Sequence, residues 1–132
     1  MGPAASFYLR DGWLVSVDPA TGTLVWEGLP GGLKVATLIE LPGTNESVAL
    51  LDTFSTQPYY PRGFDPKQES NLVRCRGDGS IVWRAEIPKP TQHDSYVYVI
   101  LEAGVLWANS WSCYRNRINL ETGRIEESVF TK

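Results

Sequence analysis

Three stretches of the chain share one layout, and that layout limits the fold more than anything else in the sequence. Residues 13–30 read WLVSVDPATGTLVWEGLP, residues 71–88 read NLVRCRGDGSIVWRAEIP, and residues 114–130 read YRNRINLETGRIEESVF. Each is an apolar, partly alternating run, a turn closing on glycine, and a second such run. In an extended strand successive side chains point to opposite faces, so each stretch predicts a hairpin with a buried face. Trp26 follows Gly22 by four positions and Trp83 follows Gly79 by four, while Glu127 holds that place after Gly123. Asp18 and Asn119 open the first and third turns. A short side-chain oxygen there caps the backbone N–H groups that follow, a structural role rather than a metal-binding one.

The spacing of the turn glycines sets a period. From Gly79 to Gly123 it is 44 residues, and from Gly22 to Gly79 it is 57. Treating about 13 residues of the long link at 54–70 as an insertion makes the two equal. A period in the forties with four strands per unit is what a β-propeller blade requires. Helical periodicity is nearly absent, and turn residues recur between short runs rich in Val, Ile, Leu, Tyr and Trp. Eleven strands are expected, at 7–10, 13–17, 23–27, 34–41, 47–52, 71–76, 80–86, 95–101, 105–110, 113–119 and 124–130. The first three form one unit, the next four a second and the last four a third. The expected fold is all-β, an antiparallel meander in three propeller-like repeats within a single domain over 1–132. Three units do not close a usual ring. The alternatives are a small closed β-barrel or sandwich, or association of several copies that covers the end strands.

The segments VSVDPATGTLVWE and RINLETGRIEES resemble the repeat of pyrroloquinoline-quinone-type β-propellers, in which an apolar strand, an Asp, a Thr-Gly turn and a Trp recur. The stretch DSYVYVILEAGVLWANSWSCYRNRINLETGRI is similar to small uncharacterised bacterial β-proteins. The resemblance covers the three hairpins and implies strand architecture. Quinone-binding members carry adjacent cysteines and metal-binding carboxylates near the axis. Cys75 and Cys113 stand 38 positions apart and no such carboxylate cluster occurs. Neither a quinone nor any other cofactor is expected, and neither is dehydrogenase activity.

Charge and composition narrow the function further. The net charge of −3 argues against nucleic acid, whose binders carry a basic stripe. Arg74, Arg76 and Arg84, and then Arg115 and Arg117, fall in strand-like runs and read as a solvated face. No run approaches the ~20 apolar residues of a membrane helix. The start MGPAASFYLRDG has neither the basic end nor the apolar core of a secretion signal. The two cysteines read as free, partly buried thiols, and the expected location is cytoplasmic.

No catalytic constellation emerges. His93 stands beside Asp94 and Ser95, which reads as a polar turn before a strand, because a triad needs members converging from separate segments. Glu126 and Glu127 are consecutive and point to opposite faces of a strand. Two aromatic groups remain. In LWANSWSCY an extended chain puts Trp107, Asn109 and Trp111 on one face, with Tyr114 close by. That face suits stacking on a sugar or peptide, or packing between units. In the 54–70 link, Tyr59, Tyr60, Arg62 and Phe64 suit protein recognition, or fold back as a lid. The expected function is non-catalytic binding, of a protein partner or of a second copy. The alternative is a carbohydrate or small-ligand module using the aromatic face.

Overall fold

A computed structural model of the chain describes residues 5–53, 70–87 and 95–131. It is all-β, with eleven strands: β1 (Ser6–Arg10), β2 (Trp13–Val17), β3 (Leu24–Gly28), β4 (Val35–Glu40), β5 (Glu46–Leu51), β6 (Leu72–Arg76), β7 (Ile81–Arg84), β8 (Tyr96–Glu102), β9 (Val105–Ser110), β10 (Tyr114–Ile118) and β11 (Ile125–Phe130). A 3-10 turn at Pro30–Gly32 leads from the first sheet to the second. The strands form three antiparallel sheets in the orders β1-β2-β3, β4-β5-β6-β7 and β8-β9-β10-β11. The grouping into units of three, four and four strands is the one the repeat predicted. The closed-barrel alternative is not what forms. Among the described residues each sheet keeps its own ladder and none pairs into the next.

The repeat extends to the backbone irregularities. The hairpin ladders β2–β3, β6–β7 and β10–β11 each slip by one residue, after Ser16, Arg74 and Arg117 respectively. These three positions are equivalent when the repeats are laid on one another. A bulge bends its strand and tightens the local twist, so the three hairpins curve alike. The turns also behave as their residues require. Asp18 accepts a bond from the N–H of Ala20 at 2.9 Å, and Asn119 accepts from Glu121 at 2.9 Å and Thr122 at 3.1 Å.

The sheets stack face to face with one apolar layer in each gap. Phe7, Leu14, Val35, Ala49, Leu51, Val73 and Cys75 fill the gap between the first and second sheets. Val48, Leu50, Leu72, Trp83, Tyr96, Val99, Leu106, Ala108 and Ile118 fill the gap between the second and third. The middle sheet is thus buried on both faces. This is why β5 reads as the unbroken run SVALL rather than as an alternation. Asn71 fastens the second gap. Its Nδ2 donates to the carbonyls of Leu51 at 3.0 Å and Tyr96 at 2.8 Å, and its Oδ1 accepts from the N–H of Tyr96 at 2.8 Å.

Both cysteines are free, and they differ in setting. Cys75 is buried, where the cost of a charge in an apolar site pushes its thiol up to about 12. Cys113 is exposed rather than partly buried as expected, because it sits in the β9–β10 turn at φ +70°. No helix among the described residues is long and apolar enough to cross a membrane.

Candidate functional site

The contact that joins one sheet to the next is the same in both gaps. Ser16 and Trp26 are cross-strand partners on the face of the first sheet that meets the second. The Trp26 indole lies against Gly79 in the turn of the second repeat, and the Ser16 hydroxyl donates to the carbonyl of Gly77 in that same turn. One repeat later Arg74 and Trp83 are cross-strand partners. The Trp83 indole lies against Gly123, and its Nε1–H donates to the carbonyl of Leu120 at 2.7 Å. Arg74 donates to that carbonyl from Nη1 at 2.7 Å, while its Nε meets Glu46 at 2.6 Å. A tryptophan therefore reaches the next turn glycine, and a polar partner reaches the carbonyl two or three residues before it. The glycines are required, since a Cβ on Gly123 would fall 2.7 Å from the Trp83 ring. For Arg74 this corrects the expectation of a solvated face, whereas Arg76 is exposed. Arg74 is a half-buried inter-sheet clamp, with its side chain 15% exposed.

The third sheet carries the same face with no fourth sheet against it among the described residues. Here Arg117 and Glu127 are the cross-strand partners. Trp107 lies opposite Arg117 on the other side. It stands where Phe7 faces Ser16 and Val48 faces Arg74. Phe7 and Val48 are buried, whereas Trp107 is only half-buried. The Arg115 guanidinium sits 4.6 Å from the Trp107 ring centre, a cation–π contact. Neither Arg115 Nε nor Arg117 Nε makes a hydrogen bond, although both atoms are shielded from solvent. The carboxylate nearest to Arg117 Nε is Glu126, at 3.7 Å. Tyr98 and Val129 complete the patch, and both are exposed. Asn109 pairs with both Tyr98 and Arg115 and lies on this face with them.

The sequence-derived aromatic face survives in part. Trp107 and Asn109 share the outer face of β9, whose other face holds the buried Leu106, Ala108 and Ser110. Trp111 does not extend that row, because β9 ends at Ser110 and Trp111 stands in the turn, 67% exposed. Tyr114 packs edge-on against Phe130, with ring centres 5.3 Å apart. Tyr59, Tyr60, Arg62, Phe64 and His93 lie outside the described residues. Sequence reasoning missed Arg115 and Arg117 as site residues. Their signal was the repeat itself, which aligns Arg117 with Ser16 and Arg74.

A groove of about 600 Å³ opens beside the first gap, lined in part by Val25, Thr44, Glu46, Arg76 and Asp78. Ser80 donates to the Asp78 carboxylate from its N–H at 2.9 Å and its hydroxyl at 2.6 Å, which lowers the pKa of that acid. Among the described residues no three His, Cys, Asp or Glu side chains gather as a metal site.

No curated protein matches the chain. The profile of a family described as "Domain of unknown function (DUF7957)" matches residues 39–130. Two of the similar solved structures illustrate the fold. One is the computationally designed Ika8 protein, 14% identical, with a TM-score of 0.58 over 98% of this chain and 36% of that one. The other is BamB from Moraxella catarrhalis, a β-propeller, 12% identical, with a TM-score of 0.50 over 96% of this chain and 34% of that one. The chain spans about a third of the length of each. The likeness concerns the fold alone, and the resemblance to quinone-type repeats reduces to this propeller-like arrangement of small sheets.

Proposed function

We propose, from the premise that the chain belongs to the DUF7957 family of unknown function, that it is a non-catalytic protein-binding scaffold. The outer face of the third sheet is its docking surface. The observation that carries this reading is the patch of Trp107, Tyr98, Arg115 and Arg117 on the face that, in the other two sheets, holds a neighbour. Aromatic residues and arginine are enriched where proteins meet, because they bury large areas and donate fixed hydrogen bonds. Two shielded arginine Nε groups without acceptors fit a surface completed by a partner's carbonyls or carboxylates.

The test is affinity capture from cells of the source organism, comparing the native chain with Trp107→Ser and Arg117→Glu. A specific protein retained by the native chain and lost from both variants supports the reading. Equal capture by all three defeats it. Deleting residues 57–64 in the same experiment asks whether the long link contributes. The exposed Trp111 and the half-buried Trp107 favour a second reading, a carbohydrate or small-ligand module using the aromatic face. A glycan array probed with the native chain and with Trp107→Ser and Trp111→Ala decides it, and an empty array removes that reading.

A further inference from the structure

The stack has two unlike ends, and each is half of a contact that the chain already makes twice. At one end the third sheet presents Arg117, at the position from which Arg74 donates to the Leu120 carbonyl and Ser16 to the Gly77 carbonyl. At the other end lies the first turn, residues 18–22. Its Gly22 corresponds to Gly79 and Gly123, and its Pro19 to Gly77 and Leu120. Gly79 and Gly123 each meet an indole from the preceding sheet, whereas nothing among the described residues lies within 4 Å of a Cβ built on Gly22.

We infer that the occupant of the third-sheet face is a second copy of this chain, docked through its first turn and the outer face of its first sheet. This rests on the protein-binding reading above and names the partner. The contact continues an interface already built, with Arg117 of one copy donating to the Pro19 carbonyl of the next. The outer face of the first sheet carries exposed aromatics beside the Arg10–Glu27 ion pair. Tyr8 is 47% exposed and stands where Ala49 and Ala108 are buried in the internal gaps, and Trp13 on the same face is 41% exposed. Exposed Tyr8 and Trp13 at one end thus face Tyr98 and Trp107 at the other. Asp18 in the open turn brings a negative charge toward Arg117. The two surfaces differ, so the contact is head to tail. Such contacts close into rings when the rotation allows and otherwise extend.

Glu127 is the departure from the internal pattern, and it supplies a gain-of-function test. Sedimentation equilibrium and light scattering of the native chain, up to about 500 μM, give a mass that is a multiple of 14.7 kDa. Glu127→Trp restores the missing indole and tightens association at least tenfold. Arg117→Glu weakens it at least tenfold. Ala20→Arg, at an exposed turn position remote from any core, does the same and covers the case in which Arg117→Glu fails to fold. A native chain that stays at 14.7 kDa overturns the inference, whatever Glu127→Trp does. So does an oligomer indifferent to Ala20→Arg. A strict monomer that still captures a foreign protein through Trp107 and Arg117 refutes the second copy and leaves the scaffold reading standing. A monomer that captures nothing removes both.

Discussion

Trp83 of the second sheet and Gly123, in the turn that joins two strands of the third, occupy space that neither could share with a larger residue. The indole fills the place of the absent side chain, and a Cβ on Gly123 would come within 2.7 Å of it. The indole N–H is meanwhile spent on the carbonyl of Leu120, at 2.7 Å. One residue thus supplies apolar burial, shape and a satisfied donor across the gap. Stability should therefore depend on the turn glycines unequally.

Gly123→Ala is expected to cost about 3 kcal/mol, from left-handed backbone strain plus displacement of the indole. Gly22→Ala has nearly the same φ, +73° against +76°, but meets nothing within 4 Å. It should cost only about 1 kcal/mol. Urea denaturation of the two variants measures the difference. Equal midpoints would show that the docking contact contributes little.

Trp83→Ala is expected to lose about 3–5 kcal/mol, the usual cost of a large aromatic removed from a core. Trp111→Ala, at a position 67% exposed, should lose less than about 1 kcal/mol. Both losses can be read from the same unfolding curves by circular dichroism.

Asn71→Ala removes the donor to the Leu51 and Tyr96 carbonyls and the acceptor of the Tyr96 N–H in a buried gap. The expected loss is about 3 kcal/mol, since each buried hydrogen bond lost costs stability. Hydrogen exchange adds a local signature. The Tyr96 amide should lose protection in the variant before the β9 and β10 amides do.

Cys113 should react with a thiol reagent at pH 8 in the folded protein, and Cys75 only after unfolding. The Cys75 thiol is raised from an ordinary 9.0 to about 12 by burial. Between those values the folded chain keeps a proton that the unfolded chain releases. This contribution to stability is complete below pH 9.0 and falls as pH rises toward about 12. The slope for one group is up to about 1.4 kcal/mol per pH unit. Thermal melts across pH 8–11 should decline less steeply for Cys75→Ala.

The sequence made the strands legible because alternation and turn glycines are local signals. Trp13–Val17 and Val105–Ser110 have the bounds that the alternation predicts, and the other strands differ from it by a residue or two. The bulges explain part of the slack, since an extra residue on the second strand of each hairpin, Val25, Val82 or Glu126, interrupts the alternation. The inter-sheet clamps were not legible. Arg74 looked like any solvated strand arginine, because its acceptor lies at Leu120, 46 residues on. Trp26 and Trp83 recur four residues after a turn glycine, but nothing local says that each serves the next repeat rather than its own. The aromatic face was half right for the same reason. Period two predicted that Trp107 and Asn109 share a side, and could not say that the strand stops before Trp111.

The bulge, the tryptophan and the turn glycine also define a tile. Each tile hands its indole forward and receives one from behind, so the contacts run in one direction along the stack. Cutting or copying the chain between equivalent points, 44 residues apart from Gly79 to Gly123, would leave every remaining joint intact. Lineages and designers alike can therefore change the length of such a protein in whole tiles, with energetics close to a sum over neighbours, while a change of half a tile would break two joints at once.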